Sequence, residues 1–202
     1  MAERGANRFA WTWPGVAAIL ALGAALAWTA DGTRIDWQPG LAFTQPWRAL
    51  SAVFVHYSAL HLGANLAGAA LVGVLGRVAP VPLRSALAWC VAWPLTQFGL
   101  LLQPQLLHYG GLSGVLHAGV AVVAVHLVCT GPRPQRRIGV AIAAVLLLKV
   151  IGEAPWSKVL RHPAGWDIAV APLAHVSGVA MGALCSLFAE MQQMRRAPTI
   201  GA

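Results

Sequence analysis

Charged residues are scarce in this chain: Asp, Glu, Lys and Arg make up 10 % of its 202 residues. Soluble domains carry about 25 % charged residues. So few charges cannot cover a water-facing surface of this size, which excludes an ordinary soluble protein. Cysteine is also rare, and Cys90, Cys129 and Cys185 each lie alone in an apolar stretch. Because their number is odd and metal-ligand spacing is lacking, we interpret the three as small hydrophobic residues that carry no redox information.

Apolar residues are abundant instead, since 58 % of the chain is hydrophobic, and they fall into long runs. About 20 apolar residues span the hydrocarbon core of a bilayer. A helix satisfies its own backbone hydrogen bonds there, so the runs favour helices. The sequence predicts an all-α, polytopic membrane protein with six transmembrane helices in a single domain over 1–202. The predicted helices cover 11–29, 59–78, 85–102, 113–129, 138–152 and 168–190.

The formal net charge is +8, and most of the basic residues lie on one side of this six-helix topology. They are Arg4, Arg8, Arg77, Arg84, Arg133, Arg136, Arg137, Arg195 and Arg196. The positive-inside rule places this side, with both termini, in the cytoplasm. We therefore expect a multi-pass protein of the bacterial inner membrane. The excess of basic residues reflects the membrane topology and gives no reason to expect a nucleic-acid partner.

Polar residues inside a membrane are costly, so they are candidates for function. The second helix begins within HYSALHLGAN, where His61 and Asn65 are four residues apart and share a helical face. The fourth begins with GGLSGVLH, which places Ser113 after two glycines that permit a sharp turn. Ser113 is either a helix cap or a hydroxyl surrounded by unpaired N–H groups. The second arrangement would stabilise an oxyanion formed at Ser113.

The sixth helix carries His175, and Gly178 and Gly182 share its face. Small residues let two helices approach closely, which would bring His175 beside Ser113. A serine hydroxyl needs such a base before it becomes a nucleophile at neutral pH. Because no Asp or Glu precedes Glu190 in the sixth helix, we expect a Ser–His dyad without a third, acidic member.

Several polar residues have two interpretations. His117 lies one turn after Ser113 and either orients the imidazole of His175 or is a packed polar residue. The pair formed by His61 and Asn65 either donates to an oxyanion or forms a polar network between helices.

Charges in the fifth helix are also ambiguous. Lys149 and Glu153, four residues apart, either extend to the membrane interface or form an ion pair facing the bundle.

Zinc and haem are the alternatives to acid–base chemistry at the histidines. The candidate ligands are His56, His61, His117 and His175. No Cys or carboxylate joins them at metal-ligand spacing, so we predict neither a metal site nor a cofactor. Two histidines from different helices could ligate haem, but this would leave the setting of Ser113 unexplained.

Together these residues resemble the rhomboid intramembrane serine proteases over nearly the full chain. The motifs that carry the resemblance are Trp47-Arg48, His56…His61…Asn65, Gly111-Leu112-Ser113-Gly114 and His175…Gly178…Gly182. The resemblance implies Ser113 as the nucleophile and His175 as the general base. It implies an oxyanion hole made by His61, Asn65 and the Ser113 amide. It also implies a cavity open to the periplasm, which the substrate reaches laterally beside the second and fifth helices.

One position departs from the family pattern, because rhomboids usually have Tyr where this chain has His117. The GLSGVLH motif and the compact core look most like the rhombosortase branch, which is associated with proteins bearing a C-terminal Gly-Gly motif, an apolar helix and a basic tail. That resemblance implies a single-pass or C-terminally anchored membrane protein as substrate. The alternatives are a catalytically silent rhomboid-like binding protein and a haem or redox membrane subunit. The sequence predicts no oligomeric state. It also leaves two outcomes of the reaction open, hydrolysis and transfer to another nucleophile.

Overall fold

The computed structural model describes residues 11–196, which form a bundle of six long helices. They are α1 (Thr12–Leu26), α2 (Ala59–Val78), α3 (Leu83–Phe98), α4 (Ser113–Thr130), α5 (Arg133–Gly152) and α6 (Pro172–Arg196). Five of them, with the 3-10 turns that extend α1 and α3, are long and apolar enough to cross a membrane. The chain is therefore a multi-pass membrane protein. Helix α5 is not among the five, and its role as a sixth span stays a prediction.

The predicted boundaries of α2 and α4 agree with the structure to within one residue. The first and third predicted helices end in 3-10 turns, Ala27–Thr29 and Gly99–Leu102. The prediction for the fifth helix is wrong at its start, because α5 begins at Arg133 and not at 138, so that it includes Arg136 and Arg137 as well. These charges lower the hydropathy of α5.

The predicted start of the sixth helix is also wrong, because α6 begins at Pro172 and not at 168. Val170 pairs instead with Arg161 through two backbone hydrogen bonds of 2.7 and 2.9 Å, which hold the preceding segment outside the helix. Proline suits the first turn of a helix, where its missing N–H needs no partner.

Helix α4 lies at the centre and packs against α2, α3, α5 and α6. Most of its residues between Gly114 and Leu127 are buried, which is typical of a helix at the centre of a bundle. Two tryptophans join α1 to α3: the rings of Trp13 and Trp89 stack with centroids 4.4 Å apart. Their indole N–H groups donate to the Val72 and Val115 carbonyls, each at 2.8 Å, so neither polar group is left unsatisfied.

Glycines bring α6 against the backbone of α4. A side chain on Gly178 would collide with the Gly114 carbonyl oxygen, and one on Gly182 with the Ala118 carbonyl oxygen. Such contact is typical of small residues at helix interfaces in membranes. The close packing places the first turns of α4 and α6 side by side.

The long connection between α1 and α2 is held together by a buried ion pair. Arg48 is buried and donates to the Asp36 backbone oxygen at 2.9 Å and to its Oδ1 at 3.2 Å. His108 contacts the other carboxylate oxygen at 2.7 Å. Neighbouring Phe43 and Trp47 are exposed, which suits a segment lying at the membrane interface.

The two ends of the bundle differ in chemistry. Ser113 and the first turn of α6 lie at one end, whereas α4 runs to the opposite end, where a short turn leads to Arg133. Arg77 at the end of α2 and Arg84 at the start of α3 flank another turn at this basic end. Arg4 and Arg8, which also entered the charge argument, lie outside the described residues.

Candidate active site

Ser113 is the first residue of α4, and the chain reaches it through a turn that glycine makes possible. Gly111 has φ +123°, a conformation that residues with a side chain rarely adopt. The N-cap position belongs to Leu112, a buried apolar residue, and no side chain caps the helix there. The capping interpretation of Ser113 is therefore not what the structure shows. Its hydroxyl faces α6 instead.

His175 in the first turn of α6 connects the Ser113 hydroxyl to an acid. Its Nε2 lies 3.0 Å from Ser113 Oγ, and its Nδ1 lies 2.6 Å from Glu153 Oε2. An ionised carboxylate accepts hydrogen bonds and donates none. The Nδ1 therefore carries a proton, which leaves the lone pair of Nε2 in the neutral ring facing the serine. This is the geometry that general-base activation of a hydroxyl requires.

The expectation that His175 lacks an acidic partner is wrong. The acidic partner lies outside the sixth helix, because Glu153 follows the end of α5. Lys149, one turn earlier, holds the other oxygen, with Nζ 2.6 Å from Oε1. Of the two interpretations of these charges, the structure shows the ion pair. Although burial raises the pKa of Glu153, the hydrogen bonds from His175 and Lys149 and the charge of Lys149 outweigh it and lower the pKa to about 2.

On the other side of Ser113, two side-chain N–H groups converge near Gly111. The Tyr57 amide donates to His61 Nδ1 at 3.4 Å, so the proton of the neutral His61 ring lies on Nε2. A methyl group on Gly111 would lie 2.6 Å from that Nε2 and 3.5 Å from Asn65 Nδ2. Glycine therefore leaves room for both groups beside the backbone that leads into Ser113.

His56 orients the Asn65 amide. Its Nδ1 donates to the Phe54 carbonyl at 3.2 Å, and its Nε2 accepts from Asn65 Nδ2 at 3.0 Å. Burial lowers the pKa of His56, which favours the neutral ring that this arrangement needs. One amide proton of Asn65 is thus engaged, and the second is available to a ligand.

Ser113, His175, His61, Asn65 and Glu153 line one cavity of about 740 Å³. His117 also lines it and contacts the Ser113 carbonyl through its Nδ1 at 2.6 Å. Six further predicted residues are not among those that line the cavity. These are Trp47 and Arg48 in the first connection, and Leu112, Gly114, Gly178 and Gly182 in the packing of α4 and α6.

The histidines do not converge on one point. His56 lies against His61, and His117 lies against His175. Within residues 11–196, no group of three or more His, Cys, Asp or Glu side chains is arranged to hold a metal ion.

A comparison with protein families matches the rhomboid domain to residues 44–191. The match begins in the first connection and extends into α6, so it covers most of the chain and contains every residue of the site described above. No curated protein matches the chain. The match agrees with the helical architecture and with the five membrane-crossing helices. The chain belongs to the rhomboid family of multi-pass membrane proteins.

Proposed function

We propose that this protein is an intramembrane serine endopeptidase in which Ser113 is the nucleophile and His175 the general base. The observation that carries the proposal is the 3.0 Å contact between Ser113 Oγ and His175 Nε2 inside a cavity within the helical bundle. Oγ attacks the substrate carbonyl carbon while its proton passes to Nε2. The imidazolium then gives that proton to the leaving amine, and water completes hydrolysis of the acyl-enzyme.

The negative charge of the tetrahedral intermediate needs donors on the opposite side of the serine. The proposed donors are His61 Nε2, the second amide proton of Asn65 and the Ser113 backbone N–H. The first two lie beside Gly111, and the third is an unpaired amide at a helix N-terminus, where the helix dipole also favours negative charge. Preorganised donors of this kind stabilise an oxyanion at little reorganisation cost.

The proposed substrate is a single-pass or C-terminally anchored membrane protein, cut near the periplasmic face of the inner membrane. Ser113 lies at the end of the bundle opposite the basic turns, and the positive-inside rule puts the basic turns in the cytoplasm. A peptide bond must leave its helix before it can reach Ser113. Glycine eases this unwinding by about 1 kcal/mol per residue relative to alanine, which agrees with the Gly-Gly motif that the rhombosortase resemblance implies.

The decisive test is labelling of the purified protein with a serine-reactive fluorophosphonate, followed by mapping of the modified residue. We expect modification at Ser113, and loss of labelling in Ser113→Ala and His175→Ala by several orders of magnitude in rate. Ser186→Ala is the matched control, because Ser186 is a buried serine of α6 that contacts the Val122 carbonyl in the helical core.

Cleavage is tested by co-expression with a reporter anchored by a C-terminal helix, carrying either Gly-Gly or Leu-Leu at its outer end. We expect the Gly-Gly reporter to be cut on the periplasmic side. Equal processing of both reporters contradicts the substrate assignment. A folded wild-type protein that neither reacts with the probe nor cuts either reporter contradicts the protease assignment and favours a silent binding protein.

A further inference from the structure

We propose that Glu153 is the positioning residue of His175, so that the site works as a Ser113–His175–Glu153 triad built from α4, α6 and the end of α5. This inference rests on the proposed protease function. It gives Glu153, the residue that follows α5, a part in positioning the general base. The observation behind it is the 2.6 Å contact between Glu153 Oε2 and His175 Nδ1.

The first consequence of this contact concerns the tautomer of His175. A neutral imidazole carries one proton, and with the proton on Nε2 the ring could not accept from Ser113 Oγ. The Glu153 carboxylate accepts at Nδ1 and so favours the productive tautomer. It also fixes the plane of the ring, because Nδ1 and Nε2 are then held on opposite sides by Glu153 and Ser113.

The second consequence concerns charge. When the proton of Ser113 reaches Nε2, the imidazole becomes a cation inside a site where His175 is almost fully buried. An unpaired buried cation is costly. The Glu153 carboxylate lies in direct contact with that cation, so the charge develops against a partner already in place.

Glu153 is itself held in position by two contacts and by the backbone conformation of the next residue. Lys149 Nζ binds its Oε1 at 2.6 Å, which leaves Oε2 free for His175. Arg161 donates to its backbone oxygen at 2.5 Å. Ala154, the next residue, has φ +46° and turns the chain away from the helix axis directly after Glu153. The carboxylate is thus preorganised, as a positioning role requires.

A purely structural ion pair with Lys149 is the rival explanation. The Lys149 side chain is 46 % exposed, and ion pairs at such exposure contribute little to stability. The His175 side chain, in contrast, is 7 % exposed. The better-shielded partner of Glu153 is therefore the imidazole that faces Ser113.

The chain supplies a matched control at its opposite end. His126 Nδ1 lies 2.8 Å from Oε1 of Glu190, a carboxylate that is 2 % exposed and also binds Arg84. The Glu190→Gln substitution makes the same chemical change in another contact between a carboxylate and a histidine Nδ1, at a carboxylate that is more deeply buried than Glu153. It does so far from Ser113, between α3, α4 and α6 at the basic end.

The experiment measures the rate of fluorophosphonate labelling at Ser113 in the full chain, for the wild type, Glu153→Gln, Glu153→Asp and Glu190→Gln. Glutamine keeps the shape and removes the charge, so we expect the rate to fall on the order of 10²–10⁴-fold. Aspartate keeps the charge on a shorter side chain and should give an intermediate rate. With a cleavable reporter, kcat should fall while KM changes little. Glu190→Gln should keep the wild-type rate per folded molecule.

A wild-type labelling rate in folded Glu153→Gln overturns the inference while leaving the protease assignment standing. Equal losses in Glu153→Gln and Glu190→Gln also overturn it, because they reveal a general effect of removing buried charge. If Glu153→Gln does not fold, the rate of Glu153→Asp decides, and a wild-type rate there counts against the inference. Absence of labelling at Ser113 in the folded wild-type protein overturns the proposed function, and this inference with it.

Discussion

The ring of His117 lies parallel to that of His175, with centroids 4.2 Å apart and planes 14° apart. Rhomboids usually have tyrosine at the position of His117. In this chain His117 also places a flat ring against the imidazole of His175. Two elements fix this ring: its position one turn after Ser113 in α4 and its hydrogen bond to the Ser113 carbonyl. One face of the His175 ring therefore packs against the ring of His117.

We predict that His117→Phe keeps most of the activity and that His117→Ala lowers kcat roughly tenfold or less. Phenylalanine preserves a ring against His175, whereas alanine removes a stacked pair worth about 0.5–1.5 kcal/mol. The measurement is kcat on a cleavable reporter, with the thermal unfolding midpoint recorded beside it. Equal losses in His117→Phe and His117→Ala would contradict the stacking role and show that His117 acts through its nitrogens, which both substitutions remove.

The proposed oxyanion donors give a second prediction. Removing the donor of Asn65 or of His61 by alanine should lower kcat by about 10²–10³-fold, with a smaller effect on KM. The physical reason is that the donors act on charge that exists in the intermediate and not in the bound substrate. If the unfolding midpoint fell in step with activity and KM rose equally, the two residues would form a structural network instead.

The packing of α6 on α4 gives a third prediction. Gly178→Ala places a methyl group on the Gly114 carbonyl oxygen and should destabilise the fold by about 1–3 kcal/mol. It should also lower the labelling rate of Ser113, because α6 carries His175. The matched control is Gly63→Ala in α2, where an added methyl group meets nothing within 4 Å. An equal response of the two variants would contradict the proposed helix contact.

The pKa of Glu153 gives a fourth prediction. Because the pKa of this carboxyl is lowered from 4.5 to about 2, its contribution to stability is complete above about pH 4.5 and is lost as the pH falls through about 2. Glu153 therefore does not titrate between about pH 5 and pH 9. If the labelling rate of the wild type falls with decreasing pH within that range, the same fall should appear in Glu153→Gln. Its absence from Glu153→Gln would assign the titrating group to Glu153.

Much of the fold could be predicted from the sequence because each membrane helix is marked by its own run of apolar residues. The apolar runs of α2 and α4 have clear starts, and Ser58 caps α2 by accepting from the His61 amide. The approach of α6 to α4 was also predictable, since Gly178 and Gly182 share the face of His175. The start of α6 was not predictable in this way, because Val170 is held by its pairing with Arg161 across a turn.

The contact between Glu153 and His175 could not be predicted from the sequence. The spacing of Lys149 and Glu153 left two interpretations open, extension to the membrane interface and an ion pair, and the structure shows the ion pair. The contact with His175 joins residues 22 positions apart on separate elements. Helical periodicity carries no information about such a contact, because it depends on how the end of α5 packs beside the first turn of α6.

The hydrogen bond between Ser113 and His175 joins α4 to α6, the last of the described helices along the chain. A ribosome delivers α4 to the membrane well before α6. Until α6 has inserted and packed against α4, the serine has no imidazole beside it and remains an ordinary alcohol. Under the function proposed above, biosynthesis from the N-terminus therefore imposes a delay, during which a nascent copy does not yet cleave neighbouring membrane proteins that are being inserted at the same time.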